Sequence, residues 1–448
     1  MNKVRQRWDN LRSSFWFLPS LIVVDSIVVA LALIEADLVW GDHSRAQWPR
    51  LFGVGAEGAR QILSTLAGSM MTVLGITFSM TLLALTLASS QYTSRILRNF
   101  MRSRVTQVTL GIFAGIFVYC LIVLRTIHGG EAEFVPSLAV FFAFVMAIVG
   151  IGVLIFFIHH IASSIQASSI IASIAQETIA AIERLFPEKT AYGPEEDEGH
   201  DQALRSLDHR TWYAVPAAAS GYIQSVDYDA LLGLARESKT IVRMERGTGA
   251  FVVKNTALAS LALTYAPDRA MISALNGAYS IDRHRTVEQD AAFGIRQIVD
   301  MALKALSPGA NDTSTAVMCV DYLAAILTQL AVRQFPPVLR YDGESLRLII
   351  MAPTFEGLLA EAFDQIRGST EGNVAIMARM LGAIETIASL TVSPSRRRAL
   401  DEQVQWIAEL ADRTIESTHD RARIERRLMH VREALEAEPA SGPGQKQA

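Results

Sequence analysis

The chain has 448 residues, half of them hydrophobic, a formal net charge of -4 and a mean hydropathy of +0.26. That length gives room for two or three domains, and the hydropathy is high for a soluble protein of this size. The near balance of charge, with no strongly basic patch standing out in the second half, sets nucleic acid aside as a partner. Two cysteines, Cys120 and Cys319, cannot build a disulfide framework, and no CxxC pair offers a zinc site.

A helix needs roughly 20 apolar residues to cross ~30 Å of hydrocarbon. Four stretches qualify, at residues 15–36, 62–90, 108–127 and 134–158. The lipid bilayer is therefore the first partner. Lys3, Arg5, Arg7 and Arg12 precede the first span against one acid, Asp9, and Arg95, Arg98, Arg102 and Arg104 lie between the second and third with no acid. The other two connections carry Glu35, Asp37, Asp42, Glu57, Glu131 and Glu133. The positive-inside rule then predicts a multi-pass protein of the bacterial inner membrane with both termini cytoplasmic. Trp8, Trp16, Trp40 and Trp48 flank the first span as interfacial aromatics do. The first apolar run is long, is interrupted by Asp25 and has no clear cleavage site, so it reads as an uncleaved span.

The second span carries Thr65, Ser69, Thr72, Ile76, Ser79, Leu83 and Thr86 at alternating steps of four and three, one stripe of a helix. Two readings fit it. Hydroxyls can line a wet path and replace part of an ion's hydration shell. They can also let helices approach closely and hydrogen-bond. Gly111 and Gly115 make a GxxxG packing pair in the third span. Asp25, near the middle of the first span, reads either as a proton- or cation-binding group or as a paired carboxylate in helix packing. Arg95, Arg98, Arg102 and Arg104 would ring the cytosolic mouth of a pore or hold anionic headgroups.

After the fourth span a helical apolar pattern runs on to Leu185 and predicts a continuous stalk. Residues 161–200 are stalk and linker, ending in an acidic run at 193–200. Residues 201–280 predict a small β-rich barrel or sandwich, with strands at "GYIQSVD", "TIVRME", "AFVV" and "LASLAL", a turn at "RGTG" and a helix at "DALLGLARES". Residues 281–437 read as helical and 438–448 as a disordered tail. The charged run from 395 onward reads as a solvated outer face. The fold class is thus a mostly α membrane protein of four transmembrane helices (residues 1–160), followed by a cytosolic α+β domain with a helical C-terminal part.

The densest polar stretch holds Arg283, His284, Arg285, Gln289, Asp290, Arg296, Asp300, Asn311 and Asp312. It is either a helix–turn–helix tied by Arg–Asp pairs or a pocket for an inorganic ion or small anionic ligand. Asn311 or Asp312 would cap the helix after "SPGAND". No P-loop, GxGxxG, HExxH or GxSxG occurs, so no catalytic residue, metal or cofactor is assigned.

The segments "LSTLAGSMMTVLGITFSMTLLALTLASSQYTSRILRNFMRSRVTQVTLGIFAGIFVYCLIVLR" and "RTVEQDAAFGIRQIVDMALKALSPGANDTSTAVMCVDYL" resemble a bacterial family of predicted membrane proteins catalogued as a domain of unknown function. The resemblance reaches from the first span to about residue 330. Ser94 and Thr313 depart from it, standing where proline is common. It implies four spans and a cytosolic domain and brings no activity. The sequence therefore leads to a homo-oligomeric ion channel or transport-like protein regulated by its cytosolic domain. The alternative is a membrane-anchored sensor or scaffold that binds a ligand or protein.

Overall fold

The computed structural model describes residues 16–47, 55–91, 104–128, 134–164, 166–187, 207 and 209–437. The expected acidic linker at 193–200, the tail at 438–448 and Arg95, Arg98 and Arg102 lie outside them. The chain forms two compact units, Met1–Ser169 and Ile170–Ala448.

The first unit contains α1 (Phe17–Gln47), α2 (Ala56–Gln91), α3 (Arg104–Thr126) and α4 (Ser137–Ser164). All four are long and apolar enough to cross a membrane. Helices suit that setting because each backbone polar group is satisfied within its own segment. By length and composition a fifth helix, Thr313–Ala331 in the second unit, also qualifies, so these criteria give five candidates where four were expected.

Helix α3 is the centre of this unit. It is 56% buried over its apolar window, against 17–22% for α1, α2 and α4. Its Phe113, Ile116, Tyr119 and Val123 pack with Ala30 of α1, Leu63 and Met70 of α2 and Ala143 of α4. The GxxxG pair holds α3 against α1. A Cβ on Gly111 would stand 3.1 Å from Pro19 Cα, and one on Gly115 would overlap Ser26 Oγ.

Helix ends at one end of this unit are closed by side chains from neighbouring helices. Asp37 of α1 is buried, and its carboxylate accepts from the Leu138 and Ala139 amides, both at 3.0 Å, in the first turn of α4. Arg60 of α2 donates to the Ile127 carbonyl (3.0 Å) just beyond α3. Tyr119 donates its hydroxyl to the Ala139 carbonyl at 2.8 Å. Asp37 was counted among loop acids; it is a helix cap.

The expected continuous stalk is interrupted. Helix α4 stops at Ser164 and α5 covers Ala167–Leu185. The Ser164 hydroxyl donates to the His160 carbonyl at 2.6 Å, a back-bond that competes with the helix ladder and favours a break. Nearly all of α5 belongs to the second unit and packs there. Gly294 lies so close to Thr178 that an added Cβ would overlap its hydroxyl, and Ala181 packs with Val287 and Phe293.

The second unit continues with β1 (Trp212–Pro216), β2 (Gly221–Val226), α6 (Tyr228–Glu237), β3 (Val242–Met244), β4 (Phe251–Val252), β5 (Ala257–Ala262), α7 (Arg269–Gly277) and β6 (Tyr279–Asp282). Then come α8 (Ala291–Leu306), α9 (Thr313–Ala331), β7 (Leu339–Asp342), β8 (Ser345–Ile349), α10 (Phe355–Gly368), α11 (Val374–Leu390), α12 (Pro394–Thr414) and α13 (Thr418–Glu436). The strands form a five-stranded sheet, β1-β5-β3-β8-β7, and a three-stranded sheet, β4-β2-β6. Val215, Ile223, Val242, Leu258, Leu275 and Leu348 fill one core shared by both sheets and α6–α7. The hairpin β7–β8 was not foreseen. Its Asp342-Gly343 turn, with Gly343 at φ +60°, lies between two short apolar runs and is an ordinary hairpin signal. Besides its hairpin partner β7, β8 pairs in parallel with β3, a strand far back in the chain.

Each helix from α6 to α13 opens on an Asp, Asn, Ser or Thr whose side chain accepts an amide of the first turn. The charged run after residue 395 is more than a solvated face. Arg396 donates to the carbonyls of Leu330, Ala331 and Arg333 at the end of α9. Arg397 donates to Ala388 and Thr391 at the end of α11 and to Ala434, Leu435 and Ala437 at the end of α13. Two adjacent arginines thus close three helices.

Gly115→Leu is expected to force α1 away from α3 and to cost about 1–3 kcal/mol. The readout is the melting temperature of the detergent-solubilised protein, and an unchanged value would mean the two helices are not in close contact.

Candidate functional site

Helix α2 turns its hydroxyl stripe away from its own chain. Thr65, Ser69, Thr72, Ser79 and Thr86 are all exposed, as are Ile76 and Leu83 between them. The threonines satisfy their hydroxyls on their own helix: Thr65 donates to Gln61 (2.8 Å), Thr72 to Gly68 (3.0 Å) and Thr86 to Leu82 (2.9 Å). Ser69 and Ser79 have no hydrogen-bond partner among the described residues. Gly68 and Gly75 lie on the same face, and a Cβ on either would meet nothing within 4 Å. The packed face of α2 is the other one, with Ala59, Leu63, Ala67 and Met70 against α3. The stripe is therefore exposed rather than packed among the described residues.

Asp25 is exposed on α1 and has no ion pair among the described residues. Arg104 begins α3 and is exposed.

The polar stretch of the second unit is a set of internal ties. Arg285 Nε and Nη2 each lie 2.8 Å from Asp290 Oδ2, and the guanidinium covers the Phe293 ring at 5.1 Å. Asp290 is buried and caps α8 by accepting the Phe293 amide at 3.2 Å. Burial pushes its carboxyl above the ordinary range, and Arg285 and the Phe293 amide pull the other way. Gly249, at φ +84°, lies over this pair; an added Cβ would overlap Asp290 Oδ2. The "RGTG" turn thus seats the β3–β4 connection on the start of α8. Gln289 accepts the Val226 amide at 3.1 Å and ties the same segment to β2.

Arg296 pairs with Asp300 at 2.9 Å and with Glu361 of α10 at 3.4 Å. Asn311 adopts φ +46° in the "SPGAND" turn. Asp312 caps α9, accepting the Thr315 amide at 3.0 Å and its hydroxyl at 2.6 Å, and these bonds hold its carboxyl below the usual range. Arg283 is exposed, and its amide donates to Asp282. Of these seven residues, Arg285 and Asp290 answer one another, Gln289 holds β2, Arg296 is matched by Asp300 and Glu361, Asp312 caps α9, Asn311 shapes its turn, and Arg283 has no ion pair among the described residues.

An open cleft lies elsewhere in the second unit, between α9, α11 and α13. A cavity of about 600 Å³ collects Arg379, Arg423, Arg426, Arg427 and His430. A second of about 850 Å³ adjoins it, shares Arg379 and Arg427 and is walled by Thr328, Gln329, Thr386 and Ser389. The sequence reading had found no basic patch here. Its signal is the spacing of positions 423, 426, 427 and 430, at i, i+3, i+4 and i+7 of one helix face. No group of three or more His, Cys, Asp or Glu positioned to hold a metal occurs among the described residues.

Apolar helices of spanning length joined to a mixed-sheet and helical unit define a multi-pass membrane protein. The chain belongs to the DUF2254 family of predicted membrane proteins, whose pattern matches residues 12–386. It is 32% identical over 435 residues to the uncharacterized protein Rv1290c of Mycobacterium tuberculosis strain H37Rv, covering 95% of this chain and 81% of that one. The same figures hold for the uncharacterized protein Mb1321c of Mycobacterium bovis. No solved structure matches the chain.

Arg285→Ala would leave Asp290 buried without its counter-charge and is expected to cost about 3 kcal/mol. A carboxyl whose folded pKa is raised penalises folding above that pKa, and the penalty fades as pH falls and the group protonates. The deficit of Arg285→Ala should therefore shrink on acidification and be partly relieved by adding Asp290→Asn. Denaturant melts across pH check this; a deficit that grows on acidification would contradict it.

Proposed function

We propose that this protein is a homo-oligomeric channel or transport-like protein of the bacterial inner membrane, with α1–α4 as its spans. In this reading copies meet through the open face of α2, and the hydroxyl stripe borders the path of an ion. The observation that carries it is the outward stripe, above all Ser69 and Ser79, whose hydroxyls have no partner among the described residues. A hydroxyl left in hydrocarbon without a hydrogen bond is costly, so water or a second copy is its natural surrounding. The outward Asp25 asks for the same. Small residues on that face, Gly68 and Gly75 among them, favour helix–helix approach.

Four spans rather than five is supported by the packing of α9. Its Ala316, Cys319, Val320, Leu323, Ile326 and Leu327 are buried, and its Asp321 pairs with Arg379 of α11. Both termini then lie in the cytoplasm, on the side of the arginine-rich connection. The second unit stands there as the regulatory part. The ties of α5 to α8 give it a mechanical hold on the segment that follows α4.

The test is ion flux through purified protein in liposomes, with cation and anion gradients imposed separately. Flux is expected, and Ser79→Leu, at an exposed position, should abolish it with folding intact. Absence of flux from folded, inserted protein would refute the channel and favour an anchored sensor.

A further inference from the structure

We propose that the cleft between α9, α11 and α13 binds a phosphate-bearing ligand. This site lies in the second unit and rests on the reading that α9 is not a span, but not on the channel reading. Four guanidiniums converge on a concave surface: Arg423, Arg426 and Arg427 from one face of α13, and Arg379 from α11. Two of them are already matched, Arg379 by Asp321 and Arg427 by Glu385 at 3.0 Å. Arg423 and Arg426 have no carboxylate partner among the described residues. The cleft thus carries an excess of two positive charges, with His430 one turn further along the same face.

Like charges gathered in a concavity repel one another and are relieved by an anion held between them. Guanidinium forks fit the oxygens of a phosphate better than a single carboxylate can satisfy two of them. Half-buried Val317 and Ala378 give the basic end an apolar floor, which an ordinary solvated helix face lacks. The adjoining trough, with Thr328, Gln329, Thr386 and Ser389 along its walls, suits a hydroxylated body attached to the phosphate. A volume of about 600 Å³ is within the range of small-molecule sites.

Phosphate on a hydroxylated body describes both a soluble phosphate ester and the headgroup of an anionic phospholipid. Two probes separate the sources: inorganic pyrophosphate, and water-soluble dihexanoyl phosphatidic acid. Each is titrated by calorimetry into the full chain in neutral phosphatidylcholine nanodiscs. Hydrogen exchange of residues 374–390 and 418–436 reports the place of binding.

Saturable binding of at least one probe is expected, weakening with salt, with protection confined to those two helices. Removing a charge-assisted contact by Arg423→Gln or Arg426→Gln should weaken it about tenfold each. Both side chains are exposed, so the variants should melt like the parent. Tighter binding of pyrophosphate assigns the site to a soluble ester, and tighter binding of the phosphatidate to a headgroup; either supports the proposal. No saturable binding of either probe, or binding that the double variant leaves unchanged in a folded protein, would overturn it. Neither result bears on flux.

Discussion

Polar groups at the ends of helices have to find partners, and the demand is greatest where water is excluded. In the first unit that demand is met across helices. The carboxylate of Asp37 lies in the first turn of α4, and Arg60 reaches the carbonyl beyond α3. Each uses a charge on one helix to close the end of another, so four apolar rods acquire a defined relation at that end. The GxxxG face of α3 then brings α1 close enough for Ser26 and Ile22 to fill the notch. The second unit solves the same problem with side-chain caps at the starts of α6–α13 and with Arg396 and Arg397 at the ends of three of them, α9, α11 and α13. Helix termination, more than any single core contact, fixes how the elements of each unit meet.

That arrangement spends the packing faces of α2 and leaves its hydroxyl stripe outward. The threonines are self-satisfied, which makes the face tolerable in a membrane, but the two serines are not. Helix α2 has one face packed on α3 and another, lined with small and hydroxylated residues, that is exposed. The proposed channel rests on that exposed face. The polar stretch of the second unit, in contrast, is engaged in contacts of its own: Arg285 with Asp290 and Gln289 with Val226 join the sheets to α8.

Much of the architecture was legible because it depends on local pattern. Apolar runs of spanning length, the strands around "RGTG", and Asp312 as the cap of α9 are all properties of neighbouring residues. What escaped depends on distant ones. Asp37 looked like a loop acid because its partner is about a hundred positions away in α4. The hairpin β7–β8 was passed over as part of a helical stretch, although its Asp-Gly turn was in plain view, because β8 joins a strand far back in the chain. The serines before α5 hid a break inside an apolar pattern that ran through them. For the candidate sites, the stripe itself could be read from spacing, but not the direction it faces. Arg285 and Asp290 could be read as a tie or as a pocket, and their 2.8 Å contact is visible only in the structure. The basic cleft was missed because the arginines of α13 are interspersed with acids in sequence, and Arg379 joins them from α11.

The most direct test of the account is disulfide trapping between copies in native membranes, using Ser79→Cys on α2. Cys120 and Cys319 are buried, so the background from the natural thiols should be low. A disulfide requires Cα atoms within about 4.4–6.8 Å, a separation reached only where two α2 faces pack together. The account expects a covalent dimer from Ser79→Cys and none from Leu63→Cys on the face that packs against α3. No dimer from Ser79→Cys in folded, membrane-inserted protein, under oxidant that traps a known contact, would contradict it.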